Sequence, residues 1–144
     1  MVVADATRTS TSDRVKFYVN GELQSQSQNS YTSSNIQFKY NDNVAHYVGA
    51  RGINSDYALP YNGYLSQYYF VDGAALVPSD FGYTDAQTGQ WRPKNGNVVK
   101  SNITYGTNGY WLDFRDNTST TTLGYDYSGN GNHFTATNIS VSAG

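Results

Sequence analysis

Five Asn-Gly pairs punctuate this chain of 144 residues: Asn20-Gly21, Asn62-Gly63, Asn95-Gly96, Asn108-Gly109 and Asn130-Gly131. Asparagine and glycine tolerate the positive φ angles of tight reversals, so the chain is expected to turn often and run in short segments. What lies between the turns is poor in helix formers. Glu22 is the only glutamate, while Asn, Ser, Thr, Gly and fourteen Tyr dominate. Those residues favour strands or turns over helices, and the expected class is all β.

The segments between turns alternate with the period of a half-buried strand. In 14–19, Val15, Phe17 and Val19 share one face and Arg14, Lys16 and Tyr18 the other, and Asn20-Gly21 then reverses the chain. Ile36, Phe38 and Tyr40 alternate, as do His46, Val48 and Ala50, giving two more strand candidates. Residues 64–71 form the longest β-prone run and are read as a central strand. Residues 78–96 read as a long surface connection, with one short helical turn at Pro78-Ser79-Asp80. In 110–114, Tyr110, Leu112 and Phe114 are expected inside, with Trp111, Asp113 and Arg115 outside. A polar turn spans 116–122, and a last β segment runs from Phe134 towards Val141. Short alternating segments among many turns are the pattern of an antiparallel β-sandwich or jelly roll. One domain over 1–144, with 1–12 irregular, fits the length and would bury roughly 68–70% of its unfolded surface.

Charge and cysteine content exclude several classes. Nine basic residues face eleven acidic ones, for a formal charge of −2, so there is no basic excess for nucleic acid or an anionic membrane. No run approaches the length of a bilayer span, and Met1 to Asp5 lacks the basic region and apolar core of a signal peptide. The absence of cysteine removes disulfides, thiolate metal sites and thiol nucleophiles, and leaves the compartment open.

Several motifs carry a family resemblance. Residues 15–23 (Val15 to Leu23), Val48-Gly49-Ala50-Arg51 and 61–73 (Tyr61 to Gly73) resemble, in order and spacing, the second half of a laminin-G-like, concanavalin A-like jelly roll. Residues 78–82, 89–94, 105–110 and 126–132 are similar to modules in structural and tail-fibre-like proteins of marine bacteriophages. Only about a dozen residues precede the Tyr18-Val19-Asn20-Gly21 motif, so such a sandwich is truncated at its front. A fragment of a tandem array, a permuted domain and strand exchange with a neighbouring copy each account for this; permutation is the cheapest physically.

The resemblance implies a location on an extracellular or virion surface. It also implies a non-catalytic module that binds carbohydrate or a cell surface, with a purely structural interaction module in a fibre or virion assembly as the alternative. Its partners would be a glycan or host-surface ligand, and a homo-oligomer or sister modules. Trp91 and Trp111, with Tyr57, Tyr61 and Tyr83 in loops, are the aromatic residues least explained by packing and are the candidate ligand platform.

No enzyme chemistry is expected. Glucanases of the concanavalin A-like fold place glutamates on one strand, which Glu22 alone cannot supply. Asp113 and Asp116 are close in sequence, but Asp113 beside Arg115 reads as a solvated charge. His46 and His133 have no nucleophile motif near them. No cofactor is required, and calcium is the one candidate ion. Asp126, Ser128, Asn130 and Asn132 present oxygens at alternate positions, with Asp126, Asn130 and Asn132 as ligands and Asp72 and Asp56 as contributors from other loops. The competing reading is a glycine-assisted turn, since the loop has one carboxylate and no distal bidentate glutamate.

Overall fold

A computed structural model describes residues 1–25, 39–53 and 56–141. Along the chain come strands β1 (Val2–Ala4), β2 (Val15–Val19), β3 (Glu22–Leu23), β4 (Arg51–Ile53), β5 (Asp56–Ala58) and β6 (Tyr68–Phe70). They are followed by helix α1 (Pro78–Phe81), strands β7 (Gly82–Thr84) and β8 (Trp91–Pro93), helix α2 (Gly96–Asn102), strand β9 (Tyr110–Leu112) and helix α3 (Thr120–Leu123).

These strands pair into one three-stranded sheet, β1-β2-β3, and three two-stranded ribbons, β4-β5, β6-β9 and β7-β8, every pair antiparallel. The fold is mixed helix and strand in small separate sheets. The expected all-β, concanavalin A-like sandwich is therefore corrected, and with it the likeness to a laminin-G-like jelly roll. The turn signals are real, but the chain also takes positive φ at non-glycine residues inside segments read as strand or at their edges: Gln67, Phe114 and Asn138. Each such residue breaks the extended conformation. Strands of three residues then cannot supply the wide, two-layered sheets of a sandwich.

The chain divides into two compact units, one from 1–38 and 71–109, the other from 39–70 and 110–144. In the first, Asn20 and Gly21 both take positive φ and close the β2-β3 hairpin as a type I′ turn, with Val19 opposite Glu22. Val15 is buried, but Phe17 and Val19 on the same face stay 42% and 57% exposed. Arg14, expected outside, is buried, its guanidinium donating to the carbonyls of Arg8 and Thr9.

The stretch 78–96, read as a surface connection, is regular structure. Asp80 accepts the Val77 N–H at the start of α1, with Pro78 in its first turn. Asp85 accepts from the N–H groups of Gln87 and Thr88 to tighten the β7-β8 turn. Asn95 caps α2 by accepting the Asn97 N–H at 2.9 Å, and Val99 from that helix is buried with Tyr105.

In the second unit, residues 39–41 form a single 3₁₀ turn where Tyr40 was expected in a strand; Ile36 and Phe38 lie outside the described residues. Residues 45–50, read as strand, are bends and irregular chain. Within the 64–71 run only Tyr68–Phe70 is strand. The polar turn at 116–122 contains α3, capped reciprocally by Ser119 and Thr122. The expected strand from Phe134 to Val141 does not form.

Candidate functional site

Alternation along the β6-β9 ribbon gives it two different faces. The register sets Tyr68 opposite Leu112, Tyr69 opposite Trp111 and Phe70 opposite Tyr110. One face is purely aromatic and aliphatic: Tyr110 stacks on Tyr68 at 6.1 Å and on Phe70 at 5.4 Å, and Phe134 closes on Tyr110 at 4.7 Å. On the other, Tyr69 stacks on Trp111 at 5.8 Å and Tyr127 tilts against the indole at 5.7 Å. Because both faces are covered at the middle of β9, Trp111 and Leu112 are each 1% exposed.

The second face carries a buried polar network. Gln67, turned by its positive φ, accepts the Tyr69 hydroxyl at 2.7 Å and the Trp111 indole N–H at 3.0 Å through Oε1. Its Nε2 donates to Asp113 Oδ1 at 2.7 Å, and the other Asp113 oxygen pairs with Arg115. Asp113, expected on a solvated face, is buried. Burial, helped by the Asp113 charge, pushes the Tyr69 hydroxyl up to about 12, so it stays protonated and donating. Burial raises Tyr110 further still, with Tyr68 adding to the effect.

Asp126 anchors the neighbouring turn. Its Oδ1 accepts the N–H groups of Trp111 (2.9 Å) and Ser128 (2.8 Å); its Oδ2 accepts the Ser128 hydroxyl (2.8 Å) and the Asn132 N–H (2.9 Å). Burial alone raises its pKa, but the hydrogen bonds from Trp111, Ser128 and Asn132 outweigh that and hold it below the ordinary carboxylate value. The Asp126 N–H donates to His133 Nδ1 at 3.0 Å, and His133 lies against the Tyr125 ring. The three candidate calcium ligands are thus in one turn, with the carboxylate engaged by four protein donors and Asn130 donating its N–H to the Ser128 hydroxyl. Of the two auxiliary aspartates, Asp72 belongs to the other unit and accepts from Asn108, and the Asp56 side chain lies outside the described residues. Among the described residues no three His, Cys, Asp or Glu side chains gather as a metal cluster.

The residues of the expected aromatic platform are divided between the two units. Trp111 is core. Trp91 is wedged between two glycines of the first unit: a Cβ on Gly21 would meet Cε3 at 2.4 Å, and one on Gly82 would meet Cζ2 at 2.3 Å. Tyr83 is exposed on β7 in the first unit, whereas Tyr61 is exposed in the second, its hydroxyl over Gly63. Tyr57 lies in β5, its side chain outside the described residues.

A different surface does stand out. Between Tyr57 and Val71 there is no charged residue. Leu59 (68% exposed), Tyr61, a wholly exposed Tyr64, Leu65 and Tyr68 lie there within ten consecutive positions. The absence of charge is legible in the sequence, whereas alternation there points only to a central strand over 64–71. Gln67 and Tyr69, missed as a polar pair, carried no such signal.

Comparison with known proteins finds no matching family model, no similar curated protein and no similar solved structure. No helix among the described residues is long and apolar enough to cross a membrane. The carbohydrate- or cell-surface-binding module, and its fibre or virion alternative, rested on the jelly roll; since that architecture is absent, both are set aside.

Proposed function

We propose that this chain is a non-catalytic self-association module, and that the exposed apolar run around β6 is covered by the same run of a second copy. The observation carrying this reading is the surface left uncovered. Among the described residues five hydrophobic side chains are buried and seventeen large ones are exposed, five of them within 59–68. Taking about 200 Å² for a whole aromatic side chain, those five present on the order of 600 Å². That is at the upper limit of what a monomer leaves in one patch, about 600 Å². A stable interface buries roughly 800 Å² per partner, and these five residues would supply the greater part of it.

A second copy is favoured over an unrelated partner because, among the described residues, β6 pairs with β9 alone in its sheet. An edge strand meets its own copy antiparallel about a two-fold axis, and needs no second complementary surface. The lack of charge between Tyr57 and Val71 removes the repulsion that would oppose this. The absence of catalysis is supported by the two buried carboxylates, Asp113 and Asp126, both engaged by protein donors.

Sedimentation velocity of the full chain over a wide concentration range tests the reading. A reversible dimer is expected, converted to monomer by Tyr64→Lys or Leu65→Lys with circular dichroism unchanged, while Phe17→Lys in the other unit leaves it intact. A monomer at every concentration, or a dimer indifferent to both substitutions in the run, overturns it.

A further inference from the structure

We infer that the Gln67 side chain is a catch that keeps self-association finite: its bonds hold the run 64–71 on β9, and their loss lets this run stack with other copies into open-ended cross-β fibres. The inference rests on the reading of this run as the self-association surface and adds what limits it.

The sequence of the run favours stacking. Tyr64-Leu65-Ser66-Gln67-Tyr68-Tyr69-Phe70-Val71 holds no charge, proline or glycine and is rich in aromatic side chains. Those are the properties of segments that build steric zippers. The fold interrupts it. Gln67 takes a φ of +56°, which an L residue rarely adopts, and only Tyr68–Phe70 is strand. The β6-β9 register, carried on, would set Gln67 opposite Asp113 and Ser66 opposite Phe114, and Phe114 has a φ of +59°. Both strands therefore leave the ladder at the same level.

Three side-chain bonds hold this break. Gln67 Oε1 accepts the Tyr69 hydroxyl at 2.7 Å and the Trp111 indole N–H at 3.0 Å, and Nε2 donates to Asp113 at 2.7 Å. Trp111 lies in β9 and Asp113 follows it directly, so the side chain ties the start of β6 to its neighbour. Without these bonds residue 67 returns to the extended conformation, and a ladder of three residue pairs is left to keep β6 in place.

The edges of the ribbon decide between a finite and an endless assembly. On the side of β9 away from β6, the Trp111 N–H donates to Asp126, the Trp111 carbonyl accepts the Tyr127 N–H, and Leu112 bridges to Asp126. That edge is occupied. A two-fold pairing through β6 yields a sheet bounded on either side by β9 and its Asp126 turn, and it stops at two copies. A cross-β stack needs both edges of every strand, which 64–71 offers only when it has left β9.

The test follows thioflavin T fluorescence and fibre diffraction of the full chain, wild type against Gln67→Val, with sedimentation of the wild type alongside. Valine makes none of the three bonds and strongly disfavours positive φ. Trp111→Phe, outside the run, removes one bond and keeps the test decisive if Gln67→Val does not fold. Gly82→Ala, in the other unit, is destabilised by its Cβ against Trp91 with the Gln67 bonds in place, and every variant is incubated in urea at the same unfolded fraction. Gln67→Val is expected to form fibres with a reflection at about 4.7–4.8 Å, after a lag several-fold shorter than that of the wild type or Gly82→Ala, with Trp111→Phe in between. Adding Leu65→Lys to Gln67→Val is expected to abolish them. No fibres from Gln67→Val or Trp111→Phe, fibres as fast from Gly82→Ala, or fibres that survive Leu65→Lys overturn the inference, and a wild-type dimer in the same series leaves the proposed association standing. Fibres from Gln67→Val beside a wild type that is monomeric at every concentration overturn the dimer and leave the catch.

Discussion

Trp111 and Asp126 hold each other across fifteen residues: the Trp111 N–H donates to the Asp126 carboxylate at 2.9 Å, and the Trp111 carbonyl accepts the Tyr127 N–H at 2.8 Å. One carboxylate thereby fixes β9 to the turn that follows α3. Replacing it should cost more than a surface charge would. Asp126→Ala leaves the N–H groups of Trp111, Ser128 and Asn132 without their acceptor in a buried setting, and a loss of roughly 2–4 kcal/mol in urea unfolding is expected. A change below about 0.5 kcal/mol, the range of neutral surface substitutions, would contradict this role.

The same residue sets an acid limit. The folded pKa of Asp126 is depressed below its ordinary value of 3.8, so the folded state binds its proton less readily than the unfolded chain. The stabilisation is present in full above the ordinary value and is lost as pH falls through the folded one. Stability measured from pH 7 downward should be flat at first and then drop in the acid range. In Asp126→Asn the drop should shrink; an identical profile would remove Asp126 as its source.

Tyr69 should be among the last tyrosines to ionise. Burial first and the Asp113 charge second raise it to about 12. In a spectrophotometric titration, a fraction of the tyrosine signal is expected to lag, ionising only at the high pH set by Tyr69. Asp113→Asn removes the nearby negative charge and should bring the lagging fraction down. A titration that shows no lagging fraction counts against the network.

Gly82 is pressed between the Trp91 indole and the Arg92 carbonyl, where a Cβ would stand 2.3 Å from Cζ2 and 2.7 Å from the oxygen. Gly82→Ala is expected to destabilise the protein by about 1–3 kcal/mol and to shift tryptophan fluorescence. An unchanged unfolding midpoint would show that the indole moves aside freely.

What could be read from the sequence was local. The Asn20-Gly21 hairpin needs only two residues of positive φ, and both are written there. The absence of charge around β6 is equally local. Helix α2 was not legible, because Val98, Val99 and Asn97 are weak helix formers and the capping of Asn95 acts only once the chain has turned. The inside-outside assignment for 110–114 failed for a tertiary reason: Leu112 is buried as expected, but Gln67 and Tyr127 cover the opposite face and bury Trp111 and Asp113 too. The Trp111 indole, expected on a ligand surface, is part of this buried layer.

Each of the two units is assembled from two separate stretches, with 71–109 returning to 1–38 and 110–144 returning to 39–70. A growing chain therefore cannot finish its N-terminal hairpin's unit until residue 109 has left the ribosome, by which time the first stretch of the second unit has already been made. During that interval Leu59, Tyr61 and Tyr64 are present without the C-terminal residues of their own unit, and the distant pairings that complete both units form late and slowly. No single cut can release either unit as one continuous piece: a chain ended at residue 109 keeps all of the first unit but carries 39–70 of the second without 110–144.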